Sequence, residues 1–364
     1  MKNTAIQWCH STINPVMGCD GCELWPGPDK ITTQLASAIV KILAGTSTLA
    51  EIRKVVARIV NDRTTADMYR GRKAIAGKLA KRFGLDKTAY GVLVDVIRSA
   101  CKCYAGHLGT NRAGHKGYAD KFIEPKPFPG RMANAAQWKQ PSAVERADNP
   151  WLLDAPRMIF VSDMGDALSR IVSFEYLKQE VIDAVTSAEG RRHLWLWLTK
   201  RPKRMAELGA WLAAQGISWP DNLVAMTTVT SPETAGRINE LRKVPSKFKG
   251  LSCEPVFAEL HLDLTEIDWV IIGGGSDALA EPFQVEWALS LREQCRRAGV
   301  AFFLKQMGKN PTFNGQALEL DDPHGGEWDE WPDADWRTRE IPEAFRGDNW
   351  TRFQSMKTAD TAVS

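Results

Sequence analysis

The sequence predicts an α/β protein built as a partial or full (β/α) barrel, with a helical insertion near its start. Three observations carry that expectation. From residue 151 onward, short apolar runs alternate with segments of helical spacing. Each apolar run is followed at once by polar or glycine-rich residues. Residues 30–100, by contrast, read as helix almost throughout. Strand–helix alternation with apolar strands points to a parallel sheet with helices outside. Polar strand ends are what a barrel gathers where its βα loops form a site. A doubly wound open sheet is the competing architecture, and it would gather only some of those ends at its switch point.

Taken in order, AIQW (5–8) offers a first strand. ITTQLASAIVKILAG (31–45) has Ile31, Leu35, Ile39 and Ile42 close to a 3.6-residue period. TLAEIRKVVARIV (48–60) repeats the pattern behind Thr46, Ser47 and Thr48, any of which could cap it. KAIAGKLAKRFG (73–84) stops on Gly84, and DKTAYGVLVDVIRSA (86–100) is a further helix. Residues 107–150, rich in Gly, Pro and Asn, read as largely irregular, with EPKPFPG a loop. The strand candidates are MIFVS (158–162), HLWLWL (193–198), NLVAMT (222–227), FKGLS (248–252), DWVIIG (268–273) and VAFFL (300–304). Four helices alternate with them, at 174–188, 202–215, 232–243 and 286–299. The expected organisation is a barrel from 1–22 and 101–310, a basic helical insertion at 23–100 and an acidic C-terminal extension at 311–364.

With 364 residues, 25% charged and 44% apolar, the chain has a soluble globular profile. The N-terminus lacks the apolar core of a signal peptide, and no run approaches the roughly 18–20 residues of a membrane span. A cytoplasmic location follows as the expectation, in the host cell if the protein is phage-encoded. Seven cysteines are sparse and odd in number, which fits ligation or redox chemistry in a reducing compartment better than a disulfide framework. Cys253 and Cys295 lie in apolar surroundings and read as core thiols. The net charge of +3 is unevenly spread: 14 Lys or Arg against 5 Asp or Glu between Lys30 and Arg98, and 8 acids without a base from Glu319 to Asp335. A basic helical module suits an anionic partner or a solvated surface equally well.

Four of the remaining five thiols form two close pairs, Cys19-x2-Cys22 and Cys101-x-Cys103. Structural zinc takes four such ligands from two short knuckles, though a single intervening residue makes the second pair a strained chelate. An iron–sulfur cluster is the other candidate, also held by cysteine thiolates. Spacing alone does not separate the two.

NPVMGC (14–19), a further Cys and then CYAG (103–106) resemble the start of a phage and prophage family of radical S-adenosylmethionine (radical SAM) proteins of largely unknown function. The resemblance continues in order through IFVSDMGD, LWLTKRPKRM, LSCEPV, DWVIIGGGS, LREQCRRAGVAFFLKQMG and EWDEWP, covering most of residues 5–20 and 101–335. Two features depart from the family pattern. About eighty residues separate the first cysteines from Cys103, and Gly275 stands where the family usually has Glu.

The resemblance implies a radical SAM barrel whose [4Fe–4S] cluster is held by Cys19, Cys103 and a third thiol, Cys22 or Cys101. Cys22 is favoured, because Cys101 sits one residue from Cys103 and can simply end a helix. It also implies S-adenosyl-L-methionine (SAM) as cofactor, a 5′-deoxyadenosyl radical as its product, and a reductant such as flavodoxin or ferredoxin. The substrate implied is DNA or a modified nucleotide. The specific expectation is an isomerase rearranging an amino-acid-modified thymidine during thymidine hypermodification, which protects viral DNA from host restriction. Two alternatives stand beside it: a zinc-stabilised nucleic-acid-binding protein without catalysis, and a radical SAM enzyme acting on a peptide or free nucleoside.

Within this reading, Glu254 and Lys200 are the catalytic candidates, both at strand ends. Ser162, Asp163, Thr228, Lys305 and Gln306 are candidate cofactor contacts at other strand ends. Arg201 could pair with the SAM carboxylate or a substrate phosphate. Gly273 and Gly274 permit close backbone approach to a ligand. Tyr104 follows a ligand cysteine and could pack against the cluster or SAM. Asp163 and Asp166 could equally cap turns, and Trp195 and Trp197 read as core packing. The six histidines show no metal-ligand spacing, and EWDEWPDADW reads as a surface loop or lid.

Overall fold

The computed structural model describes residues 4–44, 47–276 and 280–347. Thr46 and the end of the expected acidic extension, 348–364, lie outside the described residues. The chain divides into two units, Met1–Val16 with Pro127–Ser364, and Met17–Lys126.

The first unit is built on seven strands: β1 Ser11–Ile13, β2 Met158–Val161, β3 Leu194–Thr199, β4 Leu223–Thr228, β5 Lys249–Cys253, β6 Trp269–Gly273 and β7 Ala301–Gln306. Their order in the sheet follows the chain, and every neighbouring pair is parallel. A sequential order has no point at which the strands reverse direction across the sheet, so the doubly wound alternative is excluded. Among the described residues β1 and β7 do not pair. The sheet is thus a curled parallel half-barrel surrounded by helices, a partial β/α barrel.

Side-chain alternation sorts the strands into two cores. Trp195, Trp197, Ala225, Leu251, Val270 and Ile272 pack against the helices. Phe160, Leu196, Met226, Trp269, Ile271 and Phe303 fill the concave side. Trp195 and Trp197 are therefore helix-facing core, and Cys253 and Cys295 are buried with them.

AIQW is a turn and not a strand, and the first strand falls at Ser11–Ile13. The reason is Trp8, whose ring plugs the concave core 4.6 Å from Phe160, while the Cys9 amide closes a turn onto Ile6. The helices at 174–186, Pro202–Ala213 and Val285–Ala298 match their spacing. PETAGRINELRK is broken into a turn at Pro232–Thr234 and a helix at Arg237–Arg242. There the Thr234 hydroxyl accepts from the Thr230 and Ser231 amides, offering the backbone an alternative to helix.

Two segments are more ordered than their composition suggests. Residues 131–147 contain helices at Arg131–Ala136 and Ala143–Ala147, the second capped reciprocally by Ser142 and Glu145. The segment from 311 to 347 is no loose extension. Pro311–Phe313 pairs with Phe283–Gln284, and Trp331, Trp336, Ile341 and Phe345 are buried in the barrel unit. EWDEWPDADW is accordingly anchored, with Arg339 stacked 4.2 Å from Trp151 and 4.9 Å from Trp328.

The second unit contains α1 Pro28–Ile42, α2 Leu49–Val60, α3 Thr65–Arg70, α4 Arg72–Phe83, α5 Lys87–Ala100 and α6 Tyr104–Asn111. Thr48 caps α2 in a reciprocal box with Glu51, and α4 ends on Gly84 in the left-handed region. Buried stripes such as Ile31, Leu35 and Ile39 face inward, whereas Lys54, Arg58, Lys73, Lys78, Lys81 and Arg82 are exposed. The unit is wider than the expected 23–100. The segments carrying Cys19, Cys22 and Cys103 are hydrogen-bonded within it and so belong to it. Among the described residues no helix is long and apolar enough to cross a membrane.

Candidate functional site

At the carboxyl ends of the barrel strands the concave side turns from apolar to polar. Thr228 of β4 and Ser252 of β5 lie in register with Ile271 of β6, above the aromatic plug. One step further stand Glu254 and Gly273. Lys305 sits where the pairing of β7 with β6 slips between Leu304 and Gln306. Such a bulge re-aims a side chain, and the Lys305 ammonium lies 2.9 Å from Glu254 Oε1. The other oxygen, Oε2, accepts from the Trp8 indole N–H at 3.2 Å and from the Ser252 hydroxyl at 3.5 Å. Oε1 is engaged by the Lys305 ammonium, whereas Thr228 Oγ1 is buried without a hydrogen-bond partner. Leaving a buried polar atom unmatched costs about 1–3 kcal/mol. Thr228 Oγ1 is therefore a place where a bound molecule's polar hydrogen or acceptor is favoured.

Asp163 joins this side from the end of β2. Ser162 turns the chain with a φ of +77°, its amide donating to Ile13. Asn14 then grips the next residues, its amide N–H donating to Asp163 Oδ1 and its carbonyl accepting from the Met164 amide at 2.9 Å. Burial raises the Asp163 carboxyl above the ordinary range, opposed by hydrogen bonds from Asn14 and Thr12. The buried Cys9 thiol is pushed strongly up by burial, further up by the Asp163 charge and down by that of Lys305. Both charges thus act on one interior point.

The remaining strand-end candidates serve other purposes. Gln306 spends its side-chain amide on the Gly274 carbonyl at 2.9 Å. A Cβ on Gly274 would lie 2.3 Å from the Met307 carbonyl oxygen, and one on Gly273 would lie 3.2 Å from that of Gln306. These glycines allow the close approach of β7 and the residues after it. Asp166, 5% exposed, accepts from Thr199, from the Lys200 amide at 3.2 Å and from Arg201 Nη1 at 2.8 Å. It is the anchor of the β3 end, and it engages Arg201 directly. Lys200 and Arg201 line a separate cleft with Arg170, Lys203, Arg204 and Arg237.

All seven cysteines of the chain are free of disulfides. In the second unit, Gly18 precedes Cys19 with a φ of +89°, and a Cβ there would meet the Phe122 carbonyl at 2.5 Å. The Cys19 amide donates to that same carbonyl at 2.8 Å. Cys22 and Trp25 pair across a tight turn, and the Leu24 carbonyl inside it accepts from both Lys102 and Cys103 amides at 2.9 Å. The two cysteine motifs, far apart in sequence, therefore meet through Leu24. Cys103 is the N-cap of α6, its Sγ accepting from the Gly106 amide at 3.4 Å. A helix N-terminus favours thiolate. Gly106 lets Trp25 lie on the helix, since a Cβ there would fall 2.5 Å from its ring. Tyr104, 51% exposed, turns to solvent.

Cys19, Cys22 and Cys103 are half-buried, whereas Cys101 is fully buried at the end of α5. Burial, with the neighbouring Cys103 adding to it, pushes the Cys101 thiol up to about 12. Of the two candidates for a third thiol, Cys22 is thus the more accessible. Among the described residues no three His, Cys, Asp or Glu side chains are gathered to hold one metal ion. A single zinc draws its sulfur donors to about 2.3 Å from one point, while a cluster spreads its thiolates over several irons.

Asn14, Trp8, Ser252 and the basic companions of Lys200 escape sequence reasoning. Asn14 stands in the quoted NPVMGC run, which is the one signal for it. Trp8 meets Glu254 across 246 residues, and nothing local marks that contact.

A family profile described as a protein of unknown function (DUF5131) matches residues 94–348. No curated protein and no solved structure matches the chain.

Proposed function

The chain belongs to the DUF5131 family of unknown function, and we propose that it is a radical SAM enzyme modifying a base in DNA. The observation that carries this reading is the junction at Leu24, whose carbonyl binds the Cys103 amide two residues from Cys22. Cys19, Cys22 and Cys103 would hold the [4Fe–4S] cluster. When bound, the cluster and SAM supply one-electron chemistry, cleaving the sulfonium C–S bond to give a radical that takes hydrogen from an unreactive carbon.

The chain's own residues would do the rest. The thiol at the N-cap of α6 is held toward thiolate by the helix N-terminus. In the barrel unit, Glu254 Oε1, set 2.9 Å from the Lys305 ammonium, would accept a polar hydrogen. Thr228 Oγ1 supplies a second hydrogen-bonding group. Asp163, held by Asn14 at the end of β2, would offer a further polar group to a bound molecule. The aromatic plug beneath them gives this end of the barrel an apolar floor. A partial β/α barrel, polar at the carboxyl ends of its strands, supports this division of labour. The finer expectation, isomerisation of an amino-acid-modified thymidine in viral DNA with flavodoxin or ferredoxin as reductant, belongs to the same proposal.

Anaerobically reconstituted protein incubated with SAM and dithionite tests it. Release of 5′-deoxyadenosine, seen by mass spectrometry and absent in Cys103→Ala, is the expected result. No release from protein that carries iron would end the proposal. A colourless protein holding zinc would favour the non-catalytic alternative.

A further inference from the structure

We propose that the basic cleft at the ends of β3 and β4 binds phosphate groups of the substrate as a backbone-tracking groove. The identity of the ligand as nucleic acid rests on the function proposed above, while the site itself rests on its own residues. Six cations line the cleft, namely Arg170, Lys200, Arg201, Lys203, Arg204 and Arg237. Only two carboxylates, Glu207 and Glu240, line it with them, and Glu240 is paired with Lys243 at 2.7 Å.

The placement of these charges is electrostatically unusual. Lys200, Arg201, Lys203 and Arg204 surround the start of the helix Pro202–Ala213, whose first turn contains no acid. A helix N-terminus carries about half a positive charge and favours anions. Four cations add their charge to that of the helix end, and an anion that joins them is attracted by both. Asp166 supplies one carboxylate, on the Arg201 side.

Two of the guanidinium groups are already fixed in orientation. Arg204 donates from Nη2 to the Val172 carbonyl at 2.6 Å, while its buried Nε has no hydrogen-bond partner. Arg237 donates from Nη1 to the Thr228 carbonyl at 3.0 Å, which ties the cleft to the end of β4. Guanidinium planes held in this way match phosphate oxygens. The cations come from the loops and helix starts that follow three successive strands, β2, β3 and β4, so they form a stripe and not a single point. A stripe fits a phosphodiester strand better than a lone phosphate. A free nucleotide offers the same chemistry, and the experiment separates the two.

Fluorescence anisotropy on the full chain, with a short labelled DNA duplex and separately with a labelled thymidine triphosphate, supplies the test. The variant is R170E/K203E, which reverses two exposed cations at the cleft. K78E/R82E makes the same change of charge on α4 of the other unit, and circular dichroism confirms that both variants fold. Duplex affinity is expected to fall about tenfold for R170E/K203E. Its salt slope should drop by about 1.8, at about 0.9 for each phosphate no longer neutralised. K78E/R82E should move the slope less than half as far. Equal effects of the two variants overturn the proposal, since net charge alone then explains binding. Binding of neither probe by the unaltered protein also overturns it, and leaves the SAM-cleavage test standing on its own. Binding of triphosphate alone, lost in R170E/K203E, supports the phosphate site and counts against DNA as the substrate.

Discussion

Neutralising Glu254 as E254Q strands the Lys305 ammonium in a site where it is 19% exposed, facing a side chain 13% exposed. Opposite charges 2.9 Å apart attract by about 6 kcal/mol at an effective dielectric of about 20. Desolvation offsets much of that attraction. Removing one partner of a buried pair costs about 3–5 kcal/mol, because the survivor is left uncompensated. Partial exposure of both groups puts the expectation at the lower end, about 3 kcal/mol. In a domain of this size each kcal/mol moves the thermal midpoint by about 2–4 °C. E254Q and K305M should therefore each melt roughly 6–12 °C below the unaltered protein, as followed by circular dichroism. The double variant E254Q/K305M carries neither charge and should recover much of the loss, giving a coupling of about 2 kcal/mol or more. A double variant whose loss equals the sum of the two singles would refute the pairing, and with it the claim that these charges join the ends of β5 and β7.

Two further outcomes follow from the packing. G106A forces a methyl group into the Trp25 ring 2.5 Å away, so it should cost about 1–3 kcal/mol and lower iron loading, as checked by melting and metal analysis. His10 and His193 are buried neutral, each lowered to about 4, by burial first and then by nearby arginine charge, Arg157 foremost for His10 and Arg192 for His193. The unfolded chain takes up protons below about 6.5, while the folded chain resists them down to about 4. The histidine contribution to stability should therefore be constant above about pH 7 and fall as pH drops through that window, by about 1.4 kcal/mol per pH unit for each histidine. Because the His10 ring accepts from the Met158 amide at 3.0 Å, H10N keeps an acceptor and should remove about half of the slope in melts across pH.

The half-barrel was legible because its strands are buried on both faces and so read as unbroken apolar runs such as WVIIG. The polar residues that end those runs were legible for the same reason, since the contrast is local. Helices α1, α2, α4 and α5 announced themselves by period and caps, as Thr48 and Gly84 illustrate. The three-residue β1 and the short α3 and α6 carry too few residues to establish a period. Arg201 looked like an open anion fork, and only the fold reveals Asp166 beside it. Gly273 and Gly274 looked like ligand-facing backbone, and only the neighbouring strand explains them. The wider boundaries of the helical unit depend on hydrogen bonds such as Leu24 to Cys103, which no local pattern encodes. Cys22 and Cys101, the two candidates for a third thiol, differ in burial, a property of the folded chain that spacing does not carry.

Iron and sulfide content after anaerobic reconstitution, compared among the unaltered protein, Cys22→Ala and Cys101→Ala, tests the central claim most directly. The account predicts about four irons per chain with broad absorbance near about 400 nm, lost in Cys22→Ala and kept in Cys101→Ala. A colourless protein with a single zinc, or a cluster that survives Cys22→Ala and vanishes in Cys101→Ala, would contradict it.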